Sequence, residues 1–211
     1  MRSRSAANQV KFTPYILAAI ISVLGVANAN AVPVTYTETA IITGSLGSTV
    51  FTDKLLTVTG TGDTTNVTTL FGVFINPVTA SFVIAGVGSG TFTNAIRVFD
   101  DKDTTPNFAV AGFTQVGLSG DDALVLATQT AAFFTYNLST SIGPITGGAR
   151  VPPVAVFTSA GQLLFDEVPE ASTFTAVVTP LPAALPLFAT GLGALGLLGW
   201  RRKRKANPSF A

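Results

Sequence analysis

The chain has 211 residues, with 12 Lys+Arg against 11 Asp+Glu, a formal net charge of +1, only 11% charged residues, no His and no Cys. A soluble domain ordinarily carries about twice that charged fraction. The missing Cys and His exclude disulfides, thiolate and imidazole metal centres, Ser-His-Asp and Cys-based nucleophilic catalysis, and histidine pH switching; with 47% hydrophobic residues and a mean hydropathy of +0.51, part of the apolar content is expected to lie outside a globular core.

In chain order the first element is a leader. Arg2, Arg4 and Lys11 precede an uncharged, mostly apolar stretch over residues 15–26, followed by Ala27, Asn28, Ala29, Asn30 and Ala31. A basic start, a short apolar middle and small residues at alternate positions are the three parts of a secretory signal peptide. The apolar stretch is too short to span a bilayer, which needs about 20 residues, and it has no polar face such as a buried amphipathic helix would show. Residues 1–31 are therefore read as a signal peptide for the general export machinery and signal peptidase. Cleavage after Ala29 or after Ala31 fits the small-x-small rule equally, and the boundary is placed at Ala31.

Residues 32–177 follow as a Thr-, Val-, Phe- and Gly-rich domain. Leu56 and Val58 alternate with Thr57 and Thr59; Phe92, Ile96 and Val98 with Thr91, Thr93 and Arg97; and Phe174 and Ala176 with Thr173 and Thr175. This is strand periodicity, and β-branched and aromatic residues suit a pleated, half-buried surface. Turn signals stand at residues 60–63, 86–90, 100–107, 119–122, 141–153 and 159–161, which predicts about nine to eleven short strands. The expected fold is all-β, an antiparallel β-sandwich whose sheets are separated by Phe side chains.

The charge of this domain differs from that of the whole chain. With both ends removed, four cations (Lys54, Arg97, Lys102, Arg150) face all 11 acids, a net charge of about −7. Such a surface offers no electrostatic footprint for nucleic acid and no attraction to anionic lipid. The one acidic cluster is Asp100, Asp101 and Asp103, with Asn107 downstream. These could supply oxygen ligands to Ca²⁺, the one cofactor considered. The spacing is not that of an EF-hand, since no Gly follows the third acid and no bidentate Glu lies downstream. The competing expectation is a solvated hairpin loop between Phe99 and Phe108, and Asp121 and Asp122 could join the cluster if their loops adjoin. Asp166, Glu167 and Glu170 could pair with loop acids as a glycosidase would require, but no Trp or Tyr marks a sugar groove there. No catalytic residue is assigned, and the chain is not expected to be an enzyme.

At the C-terminal end Val178, Thr179, Pro180, Leu181, Pro182 and Ala183 precede an apolar, glycine-rich run over residues 187–200. That run ends in Trp200 and is followed by Arg201, Arg202, Lys203, Arg204 and Lys205. Counted from Leu181, the uncharged stretch just spans a hydrocarbon core of about 30 Å. Pro186 confines a regular helix to 187–200, and the basic cluster places that end in the cytoplasm with the β domain outside. A permanent anchor needs no more than this, whereas a GPI signal ordinarily ends in its apolar tail without basic residues.

The order Pro-Leu-Pro-Ala, glycine-rich helix, Trp and basic cluster resembles the PEP-CTERM sorting signal of Gram-negative bacteria, in its Val-Pro-Leu-Pro-Ala variant. The Pro-Glu-Pro of the common form is absent, and Thr179 separates Val178 from Pro180. The resemblance covers residues 178–205, leaving 206–211 as a tail. It implies an exosortase as processing partner, Thr179, Pro180, Leu181, Pro182 and Ala183 as the recognition and processing region, and Arg201, Arg202, Lys203, Arg204 and Lys205 as the retention signal. The middle segment, for instance at residues 59–64 and 138–145, is similar to the uncharacterised β-rich ectodomains that precede such signals. The resemblance implies an exported protein of the cell surface or matrix, transiently anchored in the inner membrane by its C-terminal helix and associated with exopolysaccharide, biofilm or floc. The expected role is structural or adhesive; the alternative is a membrane-anchored carbohydrate-binding or Ca²⁺-dependent lectin-like module.

Overall fold

Alternating side chains leave an extended backbone as the conformation that can bury one face and wet the other, and the middle of the chain follows that rule. The computed structural model describes residues 32–105, 108–116, 122–179, 191–193 and 195–196, with the backbone alone at 103–105 and 122. Among the described residues there are twelve strands: β1 (Pro33–Leu46), β2 (Thr49–Asp63), β3 (Thr68–Leu70), β4 (Val73–Ile84), β5 (Gly88–Thr91), β6 (Ile96–Thr105), β7 (Phe108–Val116), β8 (Asp122–Thr130), β9 (Ile142–Arg150), β10 (Val156–Thr158), β11 (Gly161–Phe165) and β12 (Ser172–Val178). Single 3₁₀ turns occupy Thr64–Asn66 and Ala131–Thr135. The all-β, antiparallel expectation is met.

The sandwich is not. β1 is bonded on both sides: β2 pairs along it from Pro33/Asp63 to Leu46/Thr49, and β12 takes its other edge from Val34/Val178 to Ala40/Ser172. The ring β1-β12-β9-β8-β7-β6-β4-β2 returns to β1, giving a closed eight-stranded barrel instead of two stacked sheets. Closure requires stagger, and β4 and β9 supply it. β4 pairs with β6 over residues 74–78 and with β2 over 79–84, while β9 pairs with β12 over 142–147 and with β8 over 148–150. Each of these strands hands the wall from one neighbour to the next.

The turn expected at residues 60–63 lies inside a strand for reasons of space. Gly60 and Gly62 sit within the 15-residue β2. A Cβ on Gly60 would stand 2.7 Å from Phe113 Cε1 and 3.0 Å from Val78, and one on Gly62 3.2 Å from Asn76 Nδ2. The glycines thus admit the side chains that fill the barrel, a use of strand glycine that resembles a turn signal in composition. Residues 142–150, expected as a loop, form β9, and 100–105 belong to β6.

Both ends of the barrel are covered. At the end where β1 begins and β12 finishes, residues 131–141 fold inward. Phe133, Tyr136 and Leu138 are buried, and the Phe133 ring meets Phe174 edge-on at 5.6 Å. At the other end β10 and β11 extend from β1, and Phe92 forms a bridge with Thr158. The Gln115 side chain seals that contact, donating from Nε2 to the Phe157 carbonyl at 2.9 Å and accepting from the Phe157 amide at 3.2 Å.

Candidate functional site: the polar interior of the barrel

On β1 the inward set is Val34, Tyr36, Glu38, Ala40, Ile42 and Leu46, all buried. Glu38 falls inside because it shares the parity of its apolar neighbours, and its exposure is 0%. It belongs to a group of buried polar side chains with Tyr36, Asn76 on β4, Asp100 on β6, Thr128 on β8, Ser172 on β12 and Tyr136 in the cap; sequence reasoning singled out only Asp100 among them, as a Ca²⁺ ligand. The available signal was parity, since Asp100 continues the inward series Ile96, Val98.

Two networks divide these residues. In the first, Tyr36 donates its hydroxyl to the Leu138 carbonyl at 2.6 Å and accepts from Asn76 Nδ2 at 2.8 Å. Burial pushes the Tyr36 phenol up to about 12, against the opposing effect of the Asn76 bond. Burial also raises the Tyr136 phenol, and the nearby Tyr36 and Asp100 charges add to the effect. Asp100 is 0% exposed, and its carboxylate is 3.9 Å from Lys102 Nζ. Lys102 in turn sits 4.5 Å from the centroid of the Phe74 ring. Burial drives the Asp100 carboxyl up to about 7; Lys102 opposes this and Asp101 adds to it. A carboxylate withdrawn from water without hydrogen bonds is disfavoured relative to its neutral acid.

In the second network, Thr128 Oγ1 lies 2.9 Å from Glu38 Oε1 and 2.7 Å from Ser172 Oγ, which donates to the Ala127 carbonyl at 3.0 Å. Burial holds the Glu38 carboxyl well above the usual range, with the Thr128 hydroxyl opposing. Thr128 donates to Glu38 Oε1 and Ser172 to the Ala127 carbonyl, and the short contact between the Thr128 and Ser172 hydroxyls ties the two bonds into one network. Glu38 Oε2, Asn76 Oδ1, both Asp100 carboxyl oxygens and the Tyr136 hydroxyl make no hydrogen bond. Since Glu38, Asn76 and Asp100 have no exposed surface, the cluster offers no cleft for a substrate.

Of the residues expected to bind Ca²⁺, two have described side chains, Asp100 and Asp101. Asp100 and Asp101 are consecutive on β6 and therefore point to opposite faces, the first buried and the second half-buried. The solvated loop expected between Phe99 and Phe108 is replaced by strand to Thr105, because the β6 register continues beyond Phe99/Gly112 to Asp101/Val110. Asp103 lies on β6; Asn107 and Asp121 lie outside the described residues. Among the described residues no group of three or more His, Cys, Asp or Glu could hold a metal ion. On the outer surface Asp53, Glu167 and Glu170 line a cleft of about 490 Å³ with Ile41, Val168, Pro169 and Ala171. Two of the acids considered for glycoside hydrolysis thus meet an acid from β2, in a cleft whose lining holds no aromatic side chain.

The leader with Ala29 and Ala31, the motif residues Pro180, Leu181, Pro182 and Ala183, and the basic cluster Arg201 to Lys205 lie outside the described residues. Thr179 is described, and its amide donates to the Pro33 carbonyl at 2.9 Å. Among the described residues no helix is long and apolar enough to cross a membrane. Comparison with protein-family models, with curated proteins and with solved structures found no match.

Proposed function

We propose that this chain is an exported, non-enzymatic structural or adhesive protein of the bacterial surface or extracellular matrix. It is delivered through the general export route, held in the inner membrane by residues 187–200, and processed by an exosortase within Thr179, Pro180, Leu181, Pro182 and Ala183. Its destination is exopolysaccharide or biofilm material. The observation that carries this reading is the order of the C-terminal segment: Pro-Leu-Pro-Ala, glycine-rich apolar run, Trp200 and five cations. Two structural features support it. The barrel wall ends at Val178, so a cut between 179 and 183 removes no strand. The helical backbone at 191–193 and 195–196 leaves Leu192 and Leu195 more than half exposed. The buried polar side chains Glu38, Asn76 and Asp100 have no exposed surface.

The test is the intact mass of the surface form. It is expected to end between Thr179 and Ala183; a mass that includes Arg201 to Lys205 would refute processing and leave a permanent anchor. A second reading, a membrane-anchored carbohydrate-binding module, draws on the cleft of Asp53, Glu167 and Glu170, whose carboxylates can accept bonds from sugar hydroxyls. Glycan-array binding abolished by Glu167→Gln with Glu170→Gln would favour it.

A further inference from the structure

The barrel has a definite polarity, and the chain enters and leaves it at one rim. The Thr179 amide bonds to the Pro33 carbonyl, and the Thr64 amide bonds to the Val32 carbonyl at 3.0 Å. At that same rim lie the β3–β4 hairpin, the start of β7 and the cap 131–141. Their outward apolar side chains are Leu70 at 50% exposure, Phe71 at 94%, Phe108 at 49% and Phe134 at 38%.

Phe71 is the most telling of these. It turns the two-residue hairpin together with Gly72, Leu70 pairing with Val73, and both turn residues have positive φ (51° and 86°). Such a turn favours Asn-Gly or Gly-Gly, because a Cβ in the left-handed region is strained. A fully exposed phenylalanine there has neither a conformational nor a packing benefit within the barrel.

The hairpin also projects. Pro33 is level with Asp63, and Asp63 by continued register with Pro77, yet β4 turns only at Val73. Those four residues amount to roughly 13 Å before strand tilt. Residues 180–186, between the barrel and the apolar run, can reach at most about 24 Å. The tips therefore stand on the side from which the chain departs toward its membrane segment, within reach of the bilayer surface.

We infer that this rim is a lipid-docking surface: Phe71, Leu70 and Phe134 enter the interfacial zone of the membrane that residues 187–200 span, seating the barrel rim-down before processing. The inference rests on the reading of 187–200 as a membrane helix. Isolated apolar side chains on projecting tips suit a bilayer interface, where aromatic rings insert individually. A protein partner would need a continuous complementary surface of about 800 Å² per side, which these few side chains do not form. With about −7 charge on the domain, docking depends on apolar insertion and gains nothing from anionic lipid, which repels the domain at low salt.

Because the chain has no Cys, single-cysteine variants report each position. Phe71→Cys, Phe134→Cys and, at the opposite end in the β1–β2 turn, Ser48→Cys are spin-labelled in the full chain reconstituted with phosphatidylcholine vesicles. All three sites are exposed, so folding is retained, and circular dichroism of each labelled protein verifies this. At 71 and 134, collisions with oxygen are expected to exceed those with a water-soluble nickel chelate, with the ratio reversed at 48. A chain that floats with the vesicles but shows the same aqueous ratio at 71 and 48 overturns docking and leaves the anchor intact. A chain that does not float at all overturns the anchor and docking with it. Spin–spin broadening at 71 without oxygen preference assigns the rim to a second copy of the chain and overturns the lipid assignment.

Discussion

Asp100 illustrates how one side chain's surroundings set a property of the fold. Its carboxyl titrates at about 7 instead of the usual 3.8 because burial penalises the anion. Between those two values the folded chain keeps a proton that the unfolded chain has released, so stability falls as pH rises from about 4 to about 7 and this group adds no further change above. Asp100→Asn is expected to flatten that decline and to be more stable than the parent at pH 8, measured as urea midpoints at pH 5 and pH 8; equal slopes for the two proteins would refute the assignment. Phe71 tests backbone strain. Phe71→Asn places at φ 51° a residue that tolerates the left-handed region, and is expected to stabilise the barrel by about 1 kcal/mol. In a calorimetric scan that is a rise in Tm of roughly 2–4 °C. Unchanged or lowered Tm would mean that the exposed ring contributes to the fold after all. Neither site was legible as such. Asp100 lay in a run of acids that composition assigns to solvent, and only the parity it shares with Ile96 and Val98 sends it inward.

Strands were legible where alternation was clean. Leu56 and Val58, Ile96 and Val98, and Phe174 and Ala176 all face the interior as their spacing predicts. The turns were less so, because glycine has two uses in a barrel. Gly60→Val would press its side chain against Phe113 and Val78 from within β2. A cost of about 1–3 kcal/mol or more is expected for such overpacking, read from the denaturation midpoint. Gly148, on β9, has no atom within 4 Å of the position a Cβ would take, so Gly148→Ala should be nearly neutral in the same assay. Comparable losses at both positions would contradict the space-filling account of the β2 glycines. At Ser159 and Ala160 the turn chemistry did mark a turn, since Thr158 Oγ1 donates to the Gly161 carbonyl and accepts from the Ala160 amide.

At the scale of the whole molecule, ring closure makes the first and last strands depend on each other across nearly the full domain. β12 fills the edge between β1 and β9, so truncation after residue 171 should expose two strand edges and yield aggregated protein. Truncation after Thr179 leaves the ring complete and should retain the urea midpoint of the intact exported domain. Sedimentation and denaturation of the two truncations check this, and a soluble, equally stable shorter form would show that closure by β12 is dispensable. The same comparison bears on processing, since a cut within residues 179–183 would release an intact barrel.

The amino-acid sequence by itself determined the all-β class, the antiparallel alternation, the acidic character of residues 32–177 and the expectation of sorting labels at both ends. These are local quantities, set by period, composition and the order of short motifs. Tertiary structure alone decided that the sheet closes into a barrel, that Gly60 and Gly62 make room for Phe113 and Asn76, that Glu38 and Asp100 are buried, and that Phe71, Phe108 and Phe134 share the rim where the chain departs. Each of these depends on which distant strands pair and in which register. That choice is made by stagger, twist and packing among residues up to about 140 positions apart, as in the pairing of Val34 with Val178, and no local pattern records it.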